Sequence, residues 1–137
     1  MPRASDVRDF LLSEHREFVT TTLACADSVA AGWDGESTTD RAQVVPPFET
    51  LLERSGVLPA APSVLAGCVA AAGERLGAQP VAAPPYVVVT GEGLLLRATL
   101  DEKRLLVRVR AFTLERDPPR YVRGPEAPED ALEITVR

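Results

Sequence analysis

Tyr86-Val87-Val88-Val89-Thr90-Gly91-Glu92-Gly93-Leu94-Leu95-Leu96-Arg97-Ala98-Thr99-Leu100 is the stretch on which the fold turns. Two β-prone runs flank a Gly-Glu-Gly turn, which predicts a hairpin. No Lys-Ser/Thr pair and no helical pattern follow the glycines, so a phosphate-cradling loop is rejected. Asp101-Glu102-Lys103 then joins the second strand to a third, Arg104 to about Leu114. A proline-containing segment from Asp117 to Glu129, with Arg120-Tyr121-Val122-Arg123 as a short edge strand, leads to a last strand from Ala131 to Val136. Period-two alternation assigns the faces. Val87 and Val89, Leu94 to Leu100 at even positions, Leu105 to Ala111 at odd ones, and Leu132, Ile134 and Val136 form four apolar rows. The opposite rows mix Tyr86, Val88, Leu95, Leu106, Phe112 and Leu114 with Arg97, Arg108, Arg110, Glu133 and Arg137.

Upstream the period is helical. Val7, Leu11, Phe18, Thr22, Cys25 and Val29 lie on one stripe, predicting a single long helix from Ser5 to about Ala30, closed near Gly32. Residues 31 to 43 read as a polar loop in which Trp33 is a lid over the helix end or, if exposed, part of a binding patch. A short second helix starts at Pro46-Pro47, buries Phe48, Leu51 and Leu52, and stops at Gly56. A third, from about Pro62 to Leu76, carries Gly67 and Gly73, each costing about 1 kcal/mol against Ala, which predicts close packing on a neighbour. Gln79 to Pro85 holds three prolines and runs extended.

The chain has 137 residues, 45% apolar and 26% charged, which is one domain's worth of a globular chain and excludes wholesale disorder. We therefore expect a single α+β domain over residues 1–137, its helical part about 5–77 and its strand part about 86–137. Three helices should pack on one face of a three- to four-stranded antiparallel sheet. A net charge of −5 argues against a general polyanion binder. The N-terminus lacks the apolar centre of a secretion signal, and the apolar run from Val57 to Gly73 is interrupted by Pro59 and Pro62 and is shorter than the ~20 residues of a membrane span. The expectation is a cytoplasmic protein with no membrane association.

Catalytic signals are thin. His15 is the single histidine, placed between Leu11 and Phe18 on the apolar side of helix one, and reads as a core-edge residue. The alternative makes it the wall of a pocket between helix one and the sheet, serving a small-molecule binder or enzyme. Cys25 and Cys68 read as buried small hydrophobes rather than a disulfide. No histidine or cysteine cluster supports a metal site, and no cofactor motif is present. The chemistry-bearing residues are Tyr86, Arg97, Arg108 and Arg110, on the face turned away from the helices. They predict a contact for a protein partner or a second copy of the chain, or a small anion held by arginine forks beside Tyr86. The arginines can instead shield the sheet with their stems and pair with Glu133 or loop carboxylates. A regulator contacting nucleic acid through the same arginines is the weakest reading.

Ala83-Pro84-Pro85-Tyr86-Val87-Val88-Val89-Thr90, Leu94 to Leu100, and Val45-Pro46-Pro47-Phe48 upstream resemble uncharacterised small proteins of halophilic archaea. The resemblance spans most residues after about 40 and implies a salt-rich cytoplasm. It brings no activity and no functional residue. The expected role is thus non-enzymatic association through the arginine-bearing sheet face.

Overall fold

The computed structural model describes residues 3–137. It is α+β, with five helices and two antiparallel sheets of four and three strands. The predicted first helix is two: α1 (Ala4–Glu14) and α2 (Arg16–Ala31), parted at His15 (φ −131°, ψ 31°). The His15 N–H closes α1 on Leu11 O, and His15 O accepts the Val19 N–H to open α2. The bend has a packing cause. α1 contacts α4 and β7 whereas α2 contacts α3 and β6, two directions that one straight rod cannot serve.

A two-residue strand, β1 (Ser37–Thr38), and a 3-10 turn (Arg41–Gln43) capped by the Asp40 carboxylate order the segment expected to be a loop. α3 (Val45–Arg54) begins with its prolines in the first turn and buries Phe48 and Leu52, as the sequence predicts. α4 (Val57–Ala71) starts five residues before the predicted helix and ends five earlier. Pro59 sits in the first turn, where no amide partner is needed, and burial of Val57, Leu58 and Ala61 outweighs the bond lost at Pro62. Gly67 makes the expected close contact: a Cβ there would lie 2.6 Å from Phe10 Cζ. Gly73 does not pack closely; it follows the last turn of α4, which closes through the Glu74 N–H to Val69 O bond.

The larger sheet orders β2 (Val87–Thr90), β3 (Gly93–Thr99), β4 (Arg104–Arg110) and β7 (Leu132–Val136), all antiparallel. In register, Val87 faces Leu96, Leu96 faces Val107 and Val107 faces Ile134, so the predicted apolar rows share one face. Leu94, Leu96, Ala98, Leu105, Val107 and Val109 are each at most 1% exposed. α3 and α4 contact β2 and β3, and α1 contacts β7.

The predicted third strand is divided. It leaves the large sheet after Arg110 and resumes as β5 (Phe112–Glu115), which pairs with β6 (Arg120–Arg123) and β1 in the order β1-β6-β5. Glu92 O accepts from both the Ala111 and Phe112 N–H groups and fixes this departure. Gly93 is required beside it, since a Cβ would stand 2.0 Å from Val109 O. The consequence corrects the face assignment: Phe112 belongs to the core, 5.1 Å from Phe48 and 5.9 Å from Trp33. The strand at 120–123 is the centre of the small sheet, not an edge. α5 (Pro128–Ala131) precedes β7. Trp33 is buried, its Nε1–H donating to Gln43 O at 2.9 Å, as a lid should be. No single helix among the described residues is long and apolar enough to cross a membrane.

Candidate functional site

The pleat sets the candidate surface. Val88, Leu95, Arg108 and Glu133 form one cross-strand row on the outer face of the large sheet, and Arg97, Leu106 and Thr135 the next, with Tyr86 beside Arg97 through the Arg97 N–H to Tyr86 O bond of 2.8 Å. The predicted quartet Tyr86, Arg97, Arg108 and Arg110 therefore does share a face. Alternation adds Arg104, which faces Thr99 in register and exchanges backbone hydrogen bonds with Arg137 at the strand end. Five arginines and one glutamate, Glu133, are the charged residues of this face. In a chain of net charge −5 that is a local reversal of sign.

The arginine heads do not converge on one ligand point. Arg108 reaches Glu133 (Nη1 to Oε1, 3.4 Å), and both side chains stay 39% and 50% exposed, so the pair is weak. Arg110 donates Nη2–H to Asp130 O at 2.7 Å. Arg108 thus pairs with Glu133, whereas Arg110 takes a backbone carbonyl of α5 in place of a loop carboxylate. Arg97 has no side-chain hydrogen bond or ion pair among the described residues; with Tyr86, Thr99, Leu76 and Pro85 it lines a depression of about 350 Å³. Tyr86, Val88, Leu95 and Leu106 are half-buried between the arginines. Leu114 and Tyr121 of the small sheet stand beside Gly91, Leu95 and Arg108 at one end of the face.

His15 lies elsewhere. It is half-buried, edge-on to Phe10 at 5.1 Å, and lines a shallow depression with Glu14, Phe18, Ser55 and Val57. All of these are helical or inter-helical residues, which corrects the idea of a pocket between helix one and the sheet. Cys25 and Cys68 are both buried free thiols; burial pushes the Cys68 thiol up to about 12. The Cys25 thiol lies 3.5 Å from Ser55 Oγ, to which it donates. Among the described residues no group of three or more His, Cys, Asp or Glu side chains could hold a metal ion.

Arg123 is the residue that sequence reading missed. Its side chain is 14% exposed and donates Nε–H to Asp27 Oδ1 (2.7 Å), Nη1–H to Ala111 O (2.6 Å) and Pro125 O (2.9 Å), and Nη2–H to Leu23 O (3.2 Å). A guanidinium has five N–H groups, and four are used. Although a depression of about 690 Å³ adjoins it, Arg123 is a stitch between α2 and the small sheet and has little left for a ligand. Only its distance in sequence from Leu23 and Asp27 hid this role.

A family model described as Domain of unknown function (DUF7988) matches residues 5–137. No curated protein and no solved structure matches the chain.

Proposed function

The chain belongs to the DUF7988 family, a domain of unknown function, and from that premise we propose a non-enzymatic association domain whose outer sheet face holds an acidic protein surface. The observation that carries this reading is the charge reversal: Arg97, Arg104, Arg108, Arg110 and Arg137 against Glu133, interleaved with Tyr86, Val88, Leu95 and Leu106. An interface needs apolar area for affinity and complementary charge for orientation, and these rows supply both. The exposed, long Arg108–Glu133 pair is readily exchanged for a partner carboxylate. Face-to-face self-pairing would oppose arginines, so a partner of opposite sign fits better than a second copy. The resemblance to proteins of halophilic archaea supports a salt-rich cytoplasm as the setting, where the apolar part of the face carries more of the affinity.

The test is fluorescence anisotropy of a labelled glutamate-rich peptide against the wild-type chain and the double variant Arg97→Glu/Arg108→Glu. Binding that falls by about tenfold or more in the variant, with an unchanged circular dichroism spectrum, supports the reading. Equal binding by both proteins removes it. An oligonucleotide of matched charge that binds more tightly through the same arginines would move the assignment to nucleic acid.

One observation favours a second reading. Arg97, without an intramolecular partner among the described residues and beside Tyr86, offers a small anion one planar fork and one ring. Titration with inorganic phosphate, followed by the amide shifts of Arg97 and Tyr86, distinguishes it, since Arg108→Glu alone should leave those shifts intact.

A further inference from the structure

The large sheet has two edges, treated differently by the fold. The edge at β7 is guarded at its start by a charged side chain: Arg8 of α1 donates Nη1–H to Leu132 O at 3.1 Å, and its Nη2 reaches Glu129 O. The edge at β2 carries no charged guard; only the Ala83 carbonyl of the turn before it takes one outward amide. Because the Arg97 N–H bonds Tyr86 O, the β2–β3 hydrogen bonds run through Tyr86, Val88 and Thr90, and the peptide groups of Val87 and Val89 turn outward. Ala83 O takes the Val87 N–H at 3.1 Å. The Val87 C=O and both peptide groups of Val89 meet no partner among the described residues. The strand itself, Val-Val-Val-Thr, carries neither the charge nor the proline with which exposed edges are normally blunted.

A groove of about 520 Å³ runs along this edge, lined by Val87 to Val89, by the segment 82–84 at its start, by Glu49, Thr50 and Glu53 of α3, and by Leu58 of α4. We propose that it binds an extended, lysine- or arginine-bearing segment of a partner protein, added beside β2 as a fifth strand. A strand sits about 4.8 Å from its neighbour, and the four residues of β2 offer about 13 Å of edge at about 3.3 Å per residue. The residue paired with Val89 completes two backbone hydrogen bonds, and the Val87 C=O accepts a third. Its side chain leaves on the face of Val89, which is the face that α3 and α4 contact. There Glu49 and Glu53 lie one helical turn apart, form no ion pair among the described residues, and outnumber Arg54, the one cation in the lining. Charge therefore selects a basic side chain at that position. A second copy of the chain is a poor occupant, because its own α3 would accompany its β2 and meet this α3 first.

This site shares Val88 with the outer face but fails or holds on different charges, Glu49 and Glu53. The experiment is NMR hydrogen exchange and titration of the full chain with a short peptide alternating valine and lysine, alongside the same peptide with glutamate for lysine. Binding should slow exchange of the Val89 N–H by about tenfold or more, and the glutamate peptide should not bind. Glu49→Gln/Glu53→Gln should weaken the lysine peptide by about tenfold, while Arg97→Glu/Arg108→Glu should not. The proposal is overturned if the Val89 N–H is already protected in the free monomer, if the peptide fails to bind or binds without protecting it, or if protection rises with protein concentration alone, which would make the occupant a second copy.

Discussion

Arg123 supplies donors to three backbone carbonyls contributed by α2, the β4–β5 junction and the turn after β6, with one exposed carboxylate completing the set. Arg123→Ala takes the side-chain donor from Leu23 O, Ala111 O and Pro125 O, of which Ala111 O keeps the Gly124 N–H, and should lower unfolding free energy by about 2 kcal/mol in urea titrations. Arg123→Lys should recover less than half, because one ammonium cannot span three directions. Cys68 gives a second measurement. Its folded thiol titrates near 12 against an ordinary 9.0, so the unfolded chain loses this proton first as pH rises. Cys68 therefore contributes its stabilisation fully below pH 9 and loses it through to about pH 12. The stability difference between wild type and Cys68→Ala should shrink steadily across that window. At this scale the sequence was legible where residue type speaks alone: the buried cysteines and the Trp33 lid. It was silent where partners lie about a hundred residues apart, as with Arg123.

Among the elements, strands were easier to read than helices. Alternation places every inner-face residue from Val87 to Val109, because a one-residue slip would turn the whole row to solvent. It could not show β4 ending at Arg110, since the pattern continues into Phe112 while the chain changes sheets at the Glu92 carbonyl. Helical periodicity likewise ran through the bend at His15, because both helices bury an apolar stripe and no proline or glycine marks the break, and the prolines drew the start of α4 too late. The α1–α4 contact yields a sign test. Alanine at Gly67 gains about 1 kcal/mol of helix propensity but places a Cβ 2.6 Å from the Phe10 ring. Thermal denaturation should show Gly67→Ala destabilising in the wild-type background and stabilising in a Phe10→Ala background. Stabilisation in both would mean that the ring yields freely.

For the whole molecule, the two proposed surfaces belong to one sheet but to different parts of it, a face and an edge. The four arginine-face candidates were visible in the sequence because outward residues follow from the pleat; the groove was not, because its acidic wall comes from α3, some forty residues before β2. The core itself joins helices and both sheets through Phe48, Phe112 and Trp33. β6 is central to the small sheet and β7 is the last strand of the large one, yet both follow the single turn after Glu115. A backbone cut between Asp117 and Pro118 should accordingly leave a nicked protein that elutes as one species from a sizing column. The fragment 1–117, expressed alone, should lack the near-ultraviolet dichroism of a packed Trp33, and adding the fragment 118–137 should restore it. The last twenty residues would then behave as a detachable ligand for the rest of their own fold, offering a route to splitting this protein into a reconstituting pair.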